Sequence, residues 1–305
     1  MKGQLPTMKW TKVPQAILNN ELFELISRGS FKLSPNSTVF TLGSCFAREV
    51  EDALKDFAKF PTLNYRGEPS DGGTGRTRGI LNKFTPETMN RELIWVNKVL
   101  KRPDLFETIT KEMFYYPFGE EVVDIGLHLV NPVSKERFIK RRADIFNIYK
   151  ELIRSNTVII TLGNLEQLYL PDGRCLESVL TNVKFLKNDY KKLTVRKQNE
   201  DEIANVISDM ISLIRNINSE INIVFTVSPI PMQKTWLSDN IVLENLNNKL
   251  FLRAAAQRFA VDDQNIYYFP SYEMVSFVGL SAFESDMRHV KPKIVKEIMK
   301  CFIDR

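Results

Sequence analysis

The chain has 305 residues, 43% hydrophobic and 26% charged, with 42 Lys and Arg against 37 Asp and Glu. That is the composition of a globular protein, and it excludes disordered and fibrous chains. No apolar run approaches the roughly 20 residues that span a bilayer, and the N-terminus carries positive charge with no apolar segment after it. A cytoplasmic protein without membrane insertion is therefore expected.

Three cysteines, Cys45, Cys175 and Cys301, cannot build a disulfide framework and show no C-x-x-C spacing for zinc. Two histidines, His128 and His289, exclude a His-rich metal site, so no metal is expected. Any imidazole base must be one of these two. The net charge of +5 is spread along the chain, with basic clusters at 140–142 and 191–197 that read as solvated faces. It does not reach a nucleic-acid-binding composition.

Residues 1–36 read as a polar extension with one amphipathic piece over 14–28. Residues 38–42 form a short apolar run ending at Gly43, followed by a helical pattern with Phe46, Val50, Ala53, Leu54 and Phe57 on one face. The same strand signature recurs at 157–162 before Gly163, at 221–227 before Ser228, and at 266–269 before Pro270. Continuous β-branched runs ending in Gly or Pro turns predict parallel strands buried on both faces. Helical patterns cover 201–218, 240–259 and 292–302. Less regular sequence at about 60–150 reads as a helical insertion, with helices near 86–100 and 135–152 and a Gly-rich loop at 70–79 that reads as a flexible lid. Strands alternating with long helices predict an α/β fold, a three-layer α/β/α sandwich on a parallel sheet. Residues 37–305 are read as one domain.

Ligands of such sheets bind beyond the carboxyl ends of the strands. Four strand ends are available, at 43–46, 163–166, 228–231 and 270–273. The first holds Ser44 and Cys45 in a turn entering a helix, where unpaired backbone N–H groups favour a thiolate or a developing oxyanion. The plainer reading makes Ser44 a helix cap and Cys45 a small buried hydrophobe. Asp286 stands three residues before His289, a spacing at which a carboxylate can fix the imidazole tautomer and leave Nε2 facing a nucleophile. His128 has no such carboxylate and reads as a packing or substrate-facing residue. Trp236, after Ser228-Pro229-Ile230-Pro231, reads as packing with sugar stacking as the alternative.

The segments TLGSCFAREVEDAL, TLGNLEQLY, FTVSPIP, YFPSYEMV and DMRH, in that order, resemble the GSCFA family, which is related to the SGNH/GDSL hydrolases. The resemblance implies a flavodoxin-like fold and acyl-ester chemistry through a Cys/Ser-His-Asp triad. Aligning the family glycine on Gly43 puts the nucleophile at Cys45, with Ser44 as the competing candidate, His289 as base and Asp286 as its orienter. It also implies an oxyanion donor two residues after Gly163, but Leu165 stands there, flanked by Asn164 and Glu166. Asn82, with Gly79 leaving room for the backbone, is the replacement candidate.

The expected function is an acyl esterase or O-acyltransferase acting on an acylated carbohydrate or small metabolite. No cofactor is required, an acyl donor such as acetyl-CoA entering only for transfer. The alternative is a non-catalytic carbohydrate- or protein-binding module on the same fold, for which the displaced Asn is the best support. Amide chemistry at the same cysteine is a third possibility.

Overall fold

The computed structural model describes residues 10–72, 77–177, 191–262 and 265–303. Four runs of consecutive apolar residues form the central parallel sheet: β1 (Val39–Gly43), β4 (Thr157–Leu162), β8 (Asn222–Val227) and β9 (Ile266–Tyr268), in the order β1-β4-β8-β9. Every residue of β1 and β4 is buried, which is why these strands read as unbroken apolar runs.

Alternate residues serve opposite faces. Phe40, Leu42, Val158, Ile160, Ile223 and Phe225 pack against α4 (Pro86–Lys101), α6 (Lys135–Tyr149), α7 (Glu200–Ile217) and α8 (Ile241–Asp262). Val39, Ile159 and Val224 face α3 (Cys45–Leu54), α9 (Ser271–Val278) and α10 (Pro292–Lys300). The molecule is thus the three-layer α/β/α sandwich expected from the sequence. Its helices start where the local chemistry directs. Thr85 caps α4 through the Thr88 N–H at 3.2 Å, ahead of Pro86. Asn199 and Glu202 form a reciprocal capping box at 2.9 Å each on α7.

The free edge of β1 is not left bare. The chain leaving α3 returns to it, with Lys59 N–H donating to Ser37 O and Val39 N–H to Lys59 O, both at 2.8 Å. This stub lies on the side of β1 away from β4, so the direction in which strands are added reverses between β1 and β4. A crevice at such a reversal, beyond the strand ends, is where open α/β sheets bind ligands.

Two additions flank that crevice. Between β1 and β4 lie α4, α5 (Phe106–Phe114), α6 and a hairpin of β2 (Tyr115–Phe118) and β3 (Glu121–Asp124), a strand pair absent from the sequence reading. A second antiparallel sheet, also absent from it, joins β5 (Glu166–Tyr169), β6 (Cys175–Leu176) and β7 (Thr194–Lys197) in the order β6-β5-β7. The amphipathic piece at 14–28 forms two helices, α1 (Lys12–Leu18) and α2 (Leu22–Ile26), broken where Asn20 takes φ +58°.

The cluster at 140–142 corrects the sequence reading. Arg141 and Arg142 are fully buried, not on a solvated face. Arg142 pairs with Asp124 at 2.5 Å and Glu92 at 2.9 Å, its guanidinium 3.4 Å from the Phe114 ring centroid. Asp124 is held below the usual carboxylate range by Arg142 and Arg141 despite its burial. Glu92 also pairs with Lys83 at 3.2 Å. Lys83 N–H in turn donates to Gly43 O at 2.9 Å, so the buried ion network anchors the 82–84 segment to the end of β1. Of the Gly-rich loop read as a lid, residues 73–76 lie outside the described residues, and 77–81 form a 3-10 turn, with Arg78 pairing with Glu51 and Asp52 at 2.6 and 2.7 Å.

Candidate active site

At the crevice lies a cavity of about 330 Å³ lined by three of the four strand ends. Ser44 and Cys45 come from β1, Gly163, Asn164 and Glu166 from β4, and Ser228 and Ile230 to Lys234 from β8. The fourth end does not contribute: Ser271 bonds Thr226 (2.6 Å) and Val227 O (3.1 Å), and Glu273 bonds Tyr268 (3.0 Å). Asn82, Phe84 and His128 close one side, and Arg288 and His289 another.

The turn after β1 is built around Gly43. Its φ is +150°, and a Cβ there would sit 2.5 Å from Thr161 O, so β4 approaches too closely for any side chain. Gly163 is as tightly placed, since a Cβ would meet Phe84 O at 2.8 Å and Ser44 Cβ at 3.2 Å. These contacts press the Ser44 turn against the end of β4. Ser44 is the N-cap residue of α3, but its side chain makes no capping bond, and Oγ is buried without a partner. Cys45, the first residue of α3, is partly exposed to the cavity. Burial pushes its thiol up, while Arg288 and Lys249 act in the opposite direction and Glu49 reinforces burial.

Across the cavity, His289 Nδ1 lies 2.5 Å from Asp286 Oδ2. The second oxygen of Asp286 accepts the Arg288 and His289 backbone N–H groups at 2.9 and 3.0 Å. These bonds, the imidazole first, hold the Asp286 carboxyl far below its usual range. Met287, at φ +56°, turns the chain tightly enough for this to close within four residues. The acceptor on Nδ1 leaves Nε2 as the unengaged ring nitrogen, and His289 lines the same cavity as Cys45. Among the described residues no hydrogen bond joins His289 to Cys45 or Ser44.

The family model for GSCFA matches residues 38–302, most of the chain. The chain belongs to the GSCFA family. A solved structure with a related outline is a carbohydrate esterase family 3 protein from Talaromyces cellulolyticus, 12% identical, covering 87% of this chain and 93% of its own, with a TM-score of 0.35. Comparison with curated protein sequences gives no match.

The remaining candidates in this GSCFA chain separate by what their side chains touch. Asn164 Oδ1 accepts from the Leu165 N–H (2.9 Å) and from Asn248 Nδ2 (3.0 Å), which orients the carboxamide and leaves its own Nδ2 as a free donor at the cavity. Asn82 is buried, with Oδ1 unpartnered. Gly79 lies behind it, its carbonyl accepting the Asn82 N–H at 3.1 Å, and is not in the cavity wall. Glu166 reaches the wall but is committed to the 228–240 loop, accepting from Thr235 Oγ1 and from the Trp236 N–H at 2.8 Å. Trp236 lines the cavity and is 38% exposed, with Lys234 Nζ 3.9 Å from its ring centroid, so it is not buried packing.

Three groups at the site were missed by the sequence reading. Glu177 lines the cavity, accepts the Phe84 N–H at 2.9 Å, and is pushed by burial up to about 7 against the pull of Lys83 and Thr88. Lys249 is buried beneath the wall, and Asn248 orients Asn164. No short motif marks any of them; each acts through partners tens of residues away. His128 is edge-on to Phe84, centroids 4.8 Å apart, and burial holds its imidazole down to about 4, so it is neutral at physiological pH.

Proposed function

We propose that this GSCFA protein is an acyl-ester enzyme of SGNH type, with Cys45 as nucleophile and His289, oriented by Asp286, as general base. The observation that carries this reading is the meeting, in one cavity at the reversal point of the sheet, of a helix-start cysteine and an imidazole pinned by a carboxylate. Cys45 is favoured over Ser44 because the serine oxygen is buried while the cysteine is open to the cavity.

In the proposed cycle, His289 Nε2 takes the thiol proton as Cys45 Sγ bonds the acyl carbon. The carbonyl electron pair moves onto oxygen, stabilised by the Cys45 backbone N–H and by Asn164 Nδ2, with Asn82 as the other candidate donor. As the tetrahedral centre collapses, the ester C–O bond breaks and His289 returns the proton to the leaving oxygen. Water or a hydroxyl of an acceptor then gives its proton to His289 and attacks the thioester, releasing Cys45. The part-exposed Trp236 ring, in a wall that also carries Asn82, Asn164 and Gln167, suits an acylated sugar or a similar polyhydroxy metabolite. An acyl-CoA donor belongs to the transfer version.

Incubation with 4-nitrophenyl acetate and rapid acid quench tests the reading. It expects an acetyl group on the Cys45 peptide and none on that peptide in Cys45→Ala. Acetate release measured with and without sugar acceptors separates transfer from hydrolysis. Absence of any adduct together with absence of turnover points instead to a binding module.

A further inference from the structure

Behind the cavity wall lies an ionisable group that the acyl cycle does not use. Lys249 projects inward from α8 and is 1% exposed. Its ammonium donates to the carbonyl oxygens of Gly163 at 2.8 Å and Ile230 at 3.0 Å, the backbone beyond the ends of β4 and β8. Among the described residues it makes no ion pair with a carboxylate.

A buried ammonium satisfied only by neutral carbonyls is costly, and proteins rarely keep one without a counter-ion. Burial holds the Lys249 amine down to about 7, and the ionisable neighbour whose charge acts to raise it is Cys45. The two side chains flank one residue. Gly163 accepts the Lys249 bond with its carbonyl and closes against the Ser44 turn with its Cα. An anion that forms only when Cys45 ionises is the charge this arrangement lacks.

We propose that Lys249 is a positioning residue, a buried amine that in its protonated form favours the thiolate of Cys45. When the thiol gives its proton to His289 Nε2, the sulfur becomes the counter-ion of the ammonium, and no other bond changes. The further groups acting on the sulfur are Arg288, from the turn before α10, which also favours the thiolate, Glu49 on α3, which opposes it, and the Cys45 backbone N–H, which favours it. His289 lines the same cavity. Arg288, part-buried at the cavity wall, acts on the sulfur more strongly than Lys249, whereas Lys249 is held in place by two carbonyls. A purely structural lysine, tying two loops together, predicts no effect on the thiol.

The test is the pH profile of iodoacetamide alkylation of the full-length chain, read by mass spectrometry on the Cys45 peptide. In Lys249→Met the midpoint is expected to rise by about one pH unit or more, and in Lys249→Arg to stay near the wild-type value. A folded Lys249→Met protein with an unchanged midpoint overturns the proposal. A substitution at a buried site can also unfold the chain, so a reciprocal measurement avoids touching Lys249. The ¹³Cε resonance of Lys249 is titrated in wild type and in Cys45→Ala, where loss of the sulfur should lower the amine's midpoint; coincident curves overturn the proposal. The inference rests on Cys45 as nucleophile, but both readouts report ionisation and not turnover. If acyl transfer proves to run through Ser44, the proposed function fails while these curves still move.

Discussion

Asn248 Nδ2 donates to Asn164 Oδ1 at 3.0 Å, and this contact sets which end of the Asn164 amide faces the cavity. The same oxygen accepts backbone N–H groups from Leu165 and Glu166, at 2.9 and 3.4 Å. Three donors converging on one atom identify it as the oxygen, so the donor end is left for substrate. Loss of one oxyanion donor typically lowers kcat by about 10²- to 10³-fold. Asn164→Ala is therefore expected to lose about that much turnover on an activated ester, with its melting temperature little changed, and Asn82→Ala to lose less. Steady-state kinetics on both variants checks this. The reverse ranking assigns the oxyanion to Asn82.

That relationship also shows where sequence reading stops. The resemblance placed the missing donor at position 165, where Leu165 is buried, while an Asx turn brings Asn164 to the cavity and a residue 84 positions away orients it. Periodicity is local, so the four core strands and long helices were legible to within a few residues. The fixing of Asn164 is a tertiary event. Arg141 and Arg142 failed for the same reason: a helical charge pattern cannot reveal that Asp124 and Glu92 wait inside to pair with them. The β5–β7 sheet was missed because its strands are short and mix charged with apolar residues, as in Glu166–Tyr169 and Thr194–Lys197. Asp286 and His289 were legible because their bond closes within one turn.

The two halves of the proposed machinery separate by substitution. His289→Ala removes the base and is expected to lower turnover by at least about 10³-fold. Asp286→Asn keeps the shape of the turn but offers an amide to Nδ1, which no longer fixes the tautomer, and a loss of about 10²-fold or more is expected. Cys45→Ala should abolish acyl-enzyme formation, while Ser44→Ala, which removes a buried oxygen with no partner, should keep the adduct. Intact-protein mass spectrometry alongside initial rates decides between them. Retained turnover in His289→Ala rules out the mechanism.

Gly43→Ala tests the construction of the turn without touching a reacting group. The added methyl would lie 2.5 Å from Thr161 O and 2.7 Å from Thr161 Cβ, both in the rigid central sheet. Relief requires β1 to move away from β4, and a positive φ adds strain for any L side chain. A destabilisation of about 2–4 kcal/mol is expected, measured by urea denaturation. Gly29→Ala, at φ +78° in open space, shares the backbone strain without the collision and should cost less. Equal losses at the two sites indicate that backbone conformation, and not close approach, is what Gly43 provides.

Glu177 gives the fold a predictable pH dependence. Its carboxyl is 5% exposed and titrates at about 7 in the folded chain, against 4.5 for an unperturbed glutamate, with burial the main cause. A carboxyl raised on folding binds its proton more tightly in the native state, so its contribution is fully present below about pH 4.5 and is lost as pH rises through about 7. Above that, wild type carries a buried charge at a cost on the order of 3 kcal/mol. Glu177→Gln keeps an oxygen to accept the Phe84 N–H but cannot ionise. Calorimetry should find the variant close to wild type at pH 5 and more stable at pH 8.5. Lys249, whose amine is held down to about 7, penalises the fold in full below about 7 and less as pH rises toward 10.5, but it acts in both proteins and cancels in the comparison. A difference between the two melting temperatures that does not change with pH removes Glu177 from the set of groups that titrate on folding.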